Sequence, residues 1–190
     1  MNANNQIPWI GPEMNFPHRD NEILSIPEYN GLLAASDRLC SKMLIKAYNL
    51  GIFPWSGQGQ PILWWSPNPR MVLKCEDFIL RNSLKKKIRS EINNGLTISC
   101  NKDFLQVIRS CAEPKKGREN SWITGEIVDS YYDLHKQGIA HSIEVWENQK
   151  LVGGLYVISI GKMVFGESMF SKKNDASKIA LTALVKWLIK

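Results

Sequence analysis

The chain has 190 residues, 44% hydrophobic and 22% charged, and carries a formal net charge of +6 from 24 Lys+Arg against 18 Asp+Glu. These are the proportions of an ordinary soluble globular protein, long enough for one domain or two small ones, and no run approaches the roughly 18 consecutive apolar residues expected of a membrane span. The positive balance is a mild bias toward polyanions such as nucleic acid and decides little alone.

The opening MNANNQIPWIGPEM has no basic region followed by an apolar run, so it reads neither as a signal peptide nor as an organelle transit peptide. Pro8, Pro12, Pro17 and Pro27 then give a segment with little periodicity, expected to run extended over the surface. Ser36 or Asp37 is placed to cap a helix whose apolar positions Leu39, Met43, Leu44 and Ala47 recur at helical spacing, and Gly51 stops it. Residues 52–69 cannot continue that helix, because Pro54, Pro61, Pro67 and Pro69 each remove a backbone donor. We read them as rigid and irregular, with a domain boundary at their end: 1–68 against 69–190.

A short strand is expected at 71–74 and a helix over 81–93, ended by Gly95. Residues 96–99 read as a strand. Asn101 is placed to cap a helix to Cys111 that buries Phe104, Leu105 and Ile108. A polar loop covers 113–120. Thr124 caps a helix to Gln137, stopped by Gly138, with Ile127, Val128, Tyr131 and Leu134 inward. The pattern then switches to period two, giving strands at 141–147, 151–160 and 162–166 with turns at Asn148 and Gly161. Gly153-Gly154 inside the middle strand marks a bulge or a close backbone approach. A last helix, 176–189, follows an Asn174/Asp175 cap. The whole reads as α+β, its second half an antiparallel meander backed by helices.

Cys40, Cys75, Cys100 and Cys111 are scattered, which suits structural thiols in a reducing compartment and points to the cytosol. His18, His135 and His141 are too dispersed for a metal site or a triad. The segment GIFPWSGQGQPILWWSPNPR packs Trp55, Trp64 and Trp65 between prolines. They are core tryptophans under a rigid loop, or a stacking wall for a flat ligand such as a nucleobase, which Tyr48 would join. The residues leave those readings level. Glu167 ends a mostly apolar strand, where a carboxylate is costly unless paired or functional; a solvated hairpin end is the equal alternative. Arg81, Lys85, Lys86, Lys87 and Arg89 form a basic run on a predicted helix, ordinarily a solvated face.

The strings GIFPW, ILWWSPNPR, WITGEIVDSYYDLHKQGIAHSIEVW, LVGGLY and FGESMFSKKNDASKIAL resemble, in order, the signature blocks of the leucyl/phenylalanyl-tRNA–protein transferases. The resemblance runs from about Asn30 to Lys190. It implies a small N-terminal domain followed by a GNAT-like acyltransferase domain with an antiparallel-rich sheet and helices. It also implies transfer of leucine or phenylalanine from Leu-tRNA or Phe-tRNA to proteins with N-terminal Arg or Lys, in the N-degron pathway, with no cofactor, metal or membrane. QKLVGG at 149–154 does not satisfy the pyrophosphate-loop pattern of coenzyme-A-dependent relatives of that fold, which argues against an acetyl-CoA donor.

By motif, Tyr48, Trp55 and Trp122 would receive the terminal adenosine of the charged tRNA, and Glu167 would be the active-centre carboxylate. Leu155, Val164, Leu184 and Leu188 would line the pocket for the donor side chain; without the resemblance all four read as core. Lys85, Lys86, Lys87 and Arg89 become a surface for tRNA phosphates, extended weakly by Lys115, Lys116, Arg118, Lys172 and Lys173. The family's chemical step is credited to an Asp and a Gln in an Ile-Asp-x-Gln word of a C-terminal extension, and nothing in 1–190 matches it. That keeps a second reading open, a non-catalytic module that binds aminoacyl-tRNA or N-degrons.

Overall fold

In the computed structural model, which describes residues 7–18, 30–114 and 121–189, the backbone divides between two units. One comprises Met1–Met71 with Pro114–Tyr131, the other Val72–Glu113 with Tyr132–Lys190. Both sheets are antiparallel and five helices accompany them among the described residues, an α+β architecture.

In the first unit β1 (Leu32–Ser36) is buried along its whole length. Helix α1 (Ser41–Asn49) follows, then β2 (Phe53–Pro54) and β3 (Ile62–Trp65), giving a sheet of order β1-β3-β2. Upstream, Pro8 and Ile10 bond to Ala35 through their backbones, each at 2.8 Å, so the extended N-terminal stretch is stitched to β1. The helix starts at Ser41, after the Ser36/Asp37 cap expected from sequence, and residues 52–69 are not wholly irregular because they supply two strands. One cause explains both differences. Ser36 ends β1 opposite Ile62, and its hydroxyl donates to the Arg38 carbonyl at 3.0 Å while accepting from Trp64 Nε1 at 2.9 Å. A hydroxyl used that way cannot cap a helix. The inward face of α1 is Met43, Leu44, Ala47 and Tyr48, and Gly51 ends it at φ 73°.

In the second unit the expected strand at 71–74 does not form. Those residues are exposed and lead into a 3-10 turn at Cys75–Asp77. Helix α2 (Asn82–Asn93), β4 (Thr97–Cys100) and α3 (Phe104–Ala112) follow close to their expected places. Asp103, not Asn101, caps α3, its carboxylate accepting from Gln106 N at 2.9 Å. Asn101 instead turns the chain at φ 57° and accepts from Ser142 N at 2.9 Å. Phe104 and Ile108 are buried as expected, whereas Leu105 is only half-buried and Val107 and Cys111 complete the inward face.

Helix α4 (Gly125–Lys136) contains the boundary between the units. Thr124 Oγ1 accepts from Ile127 N at 3.4 Å, and Gly138 ends the helix region at φ 72°. Strands β5 (Ala140–Glu147), β6 (Lys150–Ile160) and β7 (Met163–Ser171) complete a sheet of order β4-β5-β6-β7, and α5 (Ala176–Leu188) closes the chain. β7 runs five residues beyond the predicted 162–166. Val128 is half-buried, while Ile127, Tyr131 and Leu134 are buried.

Alternation along β6 assigns each face of this sheet a helix. Leu155 and Val157 cluster with Ile143, Val145, Ile179 and Ala180 on the α5 side. Tyr156 and Gly154 turn the other way, toward Phe104 and Val107 of α3. The glycine pair allows close approach on both sides. A Cβ on Gly153 would collide with the Ala176 Cβ, and one on Gly154 would lie 2.7 Å from the Ile143 carbonyl. The adjacent bulge falls at Val152, since Val145 pairs with Gly153 and Trp146 with Leu151.

Candidate functional site

The three tryptophans of the Trp/Pro segment have different environments. Pairing of β3 with β1 turns Trp64 inward, where it is 0% exposed, bonded to Ser36 and set edge-on to Phe16 at 5.0 Å. It is a core residue. Trp55 precedes the loop and remains 55% exposed. Its backbone is nevertheless fixed: its amide donates to Leu63 O at 2.9 Å and its carbonyl accepts from Trp65 Nε1 at 2.7 Å. The Trp55 and Trp65 rings meet edge-on at 6.2 Å. An indole held by its backbone with its ring still exposed can stack a flat group with little loss of side-chain freedom.

Tyr48 is 2% exposed, and its phenol oxygen lies 2.6 Å from that of Tyr131. It contributes a buried hydroxyl pair, not an open ring face. Sequence reasoning placed Tyr131 only as an inward helix position; the link between two tyrosines 83 residues apart left no local signal. Trp122 belongs to this same unit and is half-buried just ahead of α4.

Glu167 lies in the second unit, within β7 and not at its end. Tyr156 pairs with Ser168 and Val157 with Gly166, so Glu167 is the extra residue of a β-bulge, half-buried. A bulge releases a side chain from strict alternation and re-aims it, a common device beside functional sites. Tyr156 is its electrostatic neighbour. Burial chiefly, then the charge of Glu167 and the Cys111 thiol, raise the Tyr156 phenol well above its ordinary value. The solvated hairpin-end alternative for Glu167 therefore does not describe it.

The four apolar candidates separate into three and one. Leu155 is in the α5-side cluster, and Val164 and Leu184 pack against that same cluster. Leu188, in the last turn of α5, is 46% exposed.

The basic run also divides. Lys87 Nζ bonds Asp175 at 2.8 Å, whereas Arg81, Lys85, Lys86 and Arg89 are exposed with no ion pair among the described residues. Of the weaker extensions, Lys172 pairs with Glu113 at 2.8 Å, and Lys173 bonds both Glu91 and Glu147, the latter at 2.5 Å. Those carboxylates hold the Lys173 ammonium above its usual range, Glu147 first. Both lysines are thus engaged within the unit. Lys115, Lys116 and Arg118 lie outside the described residues.

One carboxylate was not singled out from sequence. Glu144, fully buried on β5, accepts from Ser142 Oγ at 2.5 Å, Ser99 Oγ at 2.6 Å, Lys102 N at 3.1 Å and Asp103 N at 3.4 Å. These donors tie β4 and the start of α3 to β5, and through burial chiefly and Glu144 next, the Cys100 thiol is raised. Its only sequence signal was an acid amid the apolar positions of a strand. His135 and His141 are likewise structural: His135 stacks on Phe104 at 4.4 Å, and His141 Nδ1 lies 2.9 Å from Asn101 Nδ2. No cluster of three or more metal-ligating side chains occurs among the described residues, and no helix there is long and apolar enough to cross a membrane.

Two family descriptions match the chain in succession. Leucyl/phenylalanyl-tRNA protein transferase N-terminal domain covers 37–68, and leucyl/phenylalanyl-tRNA protein transferase covers 72–190. Among curated relatives, the leucyl/phenylalanyl-tRNA–protein transferase of Paraburkholderia phymatum is 48% identical over 181 residues, 94% of this chain and 74% of that protein. The Chromobacterium violaceum enzyme of that name is 48% identical over 182 residues, 96% of this chain and 76% of the relative. That of Burkholderia pseudomallei is 46% identical over 183 residues, 94% and 71%. With matches this long and this similar across both segments, the chain belongs to the leucyl/phenylalanyl-tRNA–protein transferase family of aminoacyltransferases.

Proposed function

We propose that the chain transfers leucine or phenylalanine, with methionine as a further donor residue, from aminoacyl-tRNA to the α-amino group of proteins that begin with Arg or Lys. The reaction belongs to the cytoplasm, as the marking step of the N-degron pathway. One observation carries most of this reading: the N-terminal and transferase family descriptions follow each other over 37–68 and 72–190. The relatives' names supply the donor, leucyl- or phenylalanyl-tRNA, and the acceptor, protein.

The chemistry is aminolysis of an ester. The acceptor's α-nitrogen forms the new C–N bond, the ester C–O bond breaks, and the amine's proton ends on the departing ribose hydroxyl. The step balances without a cofactor because the donor ester is already activated. An α-amine with a pKa near ~8 is partly neutral at cellular pH, so alignment of amine and carbonyl supplies much of the acceleration. A general base adds roughly 100-fold or more.

In this reading Trp55 and Trp122 receive the terminal adenosine, with Tyr48 supporting that end through its hydroxyl pair. Supporting Trp55 is its exposed indole on a fixed backbone. Leu155, Val164, Leu184 and Leu188 take the donor's Leu or Phe side chain, which suits the shared cluster of the first three. Glu167 attracts the cationic acceptor and orients its amine, supported by its place in a bulge. Lys85, Lys86 and Arg89, with Lys87 beside them, contact tRNA phosphates by charge and shape, leaving selection to the aminoacyl end.

The test is transfer of labelled leucine from Leu-tRNA to a peptide beginning with Arg, beside the same peptide N-acetylated. Label in the free peptide alone is expected. Retained Leu-tRNA binding with no label in either peptide would reduce the chain to a binding module.

A further inference from the structure

A cleft of about 470 Å³ opens in the second unit between the segment 78–81, the first turns of α2 and the first turns of α5. It contains none of the aromatic, acidic or apolar residues assigned above to the transfer reaction. Its size lies within the range of small-molecule and nucleotide pockets, roughly 300–1,000 Å³. Phe78, Ile79, Leu84 and Leu181 give it apolar walls, and Ile79 is 83% exposed at its side. Arg81, Lys87 and Lys178 bring positive charge. Asp175, the single carboxylate, is bonded by both Lys87 at 2.8 Å and Lys178 at 2.7 Å, so it offsets part of their charge while the cleft stays net positive.

Arg81 also stands where the cleft meets the outer face of α2. Positions 81, 85 and 89 are spaced by four, which places Arg81, Lys85 and Arg89 along one edge of the helix. None of the three has an ion pair among the described residues. The result is a track of cations that ends at a pocket with an aromatic wall and a guanidinium.

We infer that this cleft receives an unpaired nucleotide of the donor RNA, its base against Phe78 and Ile79 and its phosphate toward Arg81 and Lys178. This rests on the reading of α2 as a phosphate-binding surface. A polyanion following the 81–85–89 edge brings an unstacked nucleotide that precedes its terminal adenosine to the cleft. Single-stranded RNA is ordinarily held in this way, by stacking on an aromatic or guanidinium plane with cations tracking the backbone. An acidic peptide would need a matching row of carboxylates along the whole edge, and the continuity of the cationic track favours RNA over it.

The experiment measures binding of the full chain to two RNA hairpins with the same stem. One is blunt; the other carries a three-nucleotide 3′ overhang that lacks the terminal adenosine, so the proposed Trp55 seat is left out. The overhang should tighten binding about 10-fold, the order of one base stack. Phe78→Ala should abolish that preference and leave blunt-hairpin affinity unchanged. Ile79→Glu, at a site so exposed that folding is not at issue, should do likewise; Trp55→Ala should not. Equal binding of the two hairpins by the unaltered chain overturns the cleft assignment while sparing the phosphate surface. Phe78→Ala and Ile79→Glu variants that keep the preference overturn it too. If neither hairpin binds, the phosphate-surface reading fails and the cleft assignment falls with it. Binding of an acidic peptide that depends on Ile79, without an overhang preference, would make the cleft a protein-docking site.

Discussion

Gly153 of β6 lies so close to Ala176 of α5 that a methyl group on the strand would occupy the space of the helix's own. The two backbones meet with one Cβ between them. Gly153→Ala should therefore destabilise by about 1–3 kcal/mol, the ordinary cost of overpacking. Ala176→Gly in the same chain should recover part of that loss, less about 1 kcal/mol or under for glycine in a helix. Urea unfolding of the single and double variants measures the coupling; additive losses would show that the close approach is not the cause.

Trp55 and Trp64 should respond in opposite ways. Trp64→Ala removes a fully buried indole and the bond to Ser36, and should cost about 3–5 kcal/mol of stability. Trp55→Ala should leave the melting temperature nearly unchanged and lower use of the aminoacyl-tRNA donor. Melting curves and transfer kinetics on the same preparations decide it, and unaltered transfer by the Trp55 variant would remove that residue from the adenosine seat.

Removal of Lys85 or Arg89 should weaken tRNA binding alike across tRNA sequences. It should also flatten the salt dependence, by about one unit of slope for each phosphate no longer neutralised. Lys87→Ala should flatten it less, because its ammonium is already bonded to Asp175. Binding titrations over a range of salt would report this, and an unmoved slope in the Lys85 and Arg89 variants would make the edge an ordinary solvated face.

Asp175 gives a pH signature. Bonds from Lys178, then Lys87, lower its carboxyl from an ordinary 3.8 to about 2. A depressed folded-state value means the charged form is favoured by folding. Its contribution is therefore complete above about pH 4 and is lost as pH falls toward about 2. Asp175→Asn should flatten the acid side of the stability profile in that window. An unchanged acid limb in the variant would assign the effect to other carboxylates.

Glu144 is held by four donors and is shut off from water. Glu144→Ala should cost about 3 kcal/mol or more by stranding two hydroxyls and two amides. Glu144→Gln should rescue little, since its NH2 would face donors. Near-native stability of the glutamine variant, by chemical unfolding, would show that shape matters there more than acceptor count.

The parts of the fold set by periodicity were legible from the chain. The helix at Asn82–Asn93, the meander with turns at Asn148 and Gly161, and the close approach at Gly153-Gly154 all rest on patterns within one or two elements. What escaped depended on distant partners. Ser36 reads as a cap until Trp64 claims its hydroxyl, and Asn101 reads as a cap until Ser142 N claims its side chain. Met71–Lys74 has strand-like composition but gains no neighbour to pair with among the described residues. The candidate residues followed the same rule: their identities came from motif words, whereas the burial of Tyr48 and the bulge at Glu167 came only from tertiary pairing.

That bulge has a second effect, on solubility. Among the described residues β7 ends the hydrogen-bonded order of its sheet, and a regular outermost strand is a template for another chain to add to. The extra residue breaks the repeat along that margin and places a negative charge in it, two of the devices by which natural sheets discourage such joining. Deleting Glu167 would do more than remove a carboxylate. It would straighten the margin while leaving Gly166 opposite Val157 and Ser168 opposite Tyr156, so loss of activity in such a deletion would be accompanied by self-association.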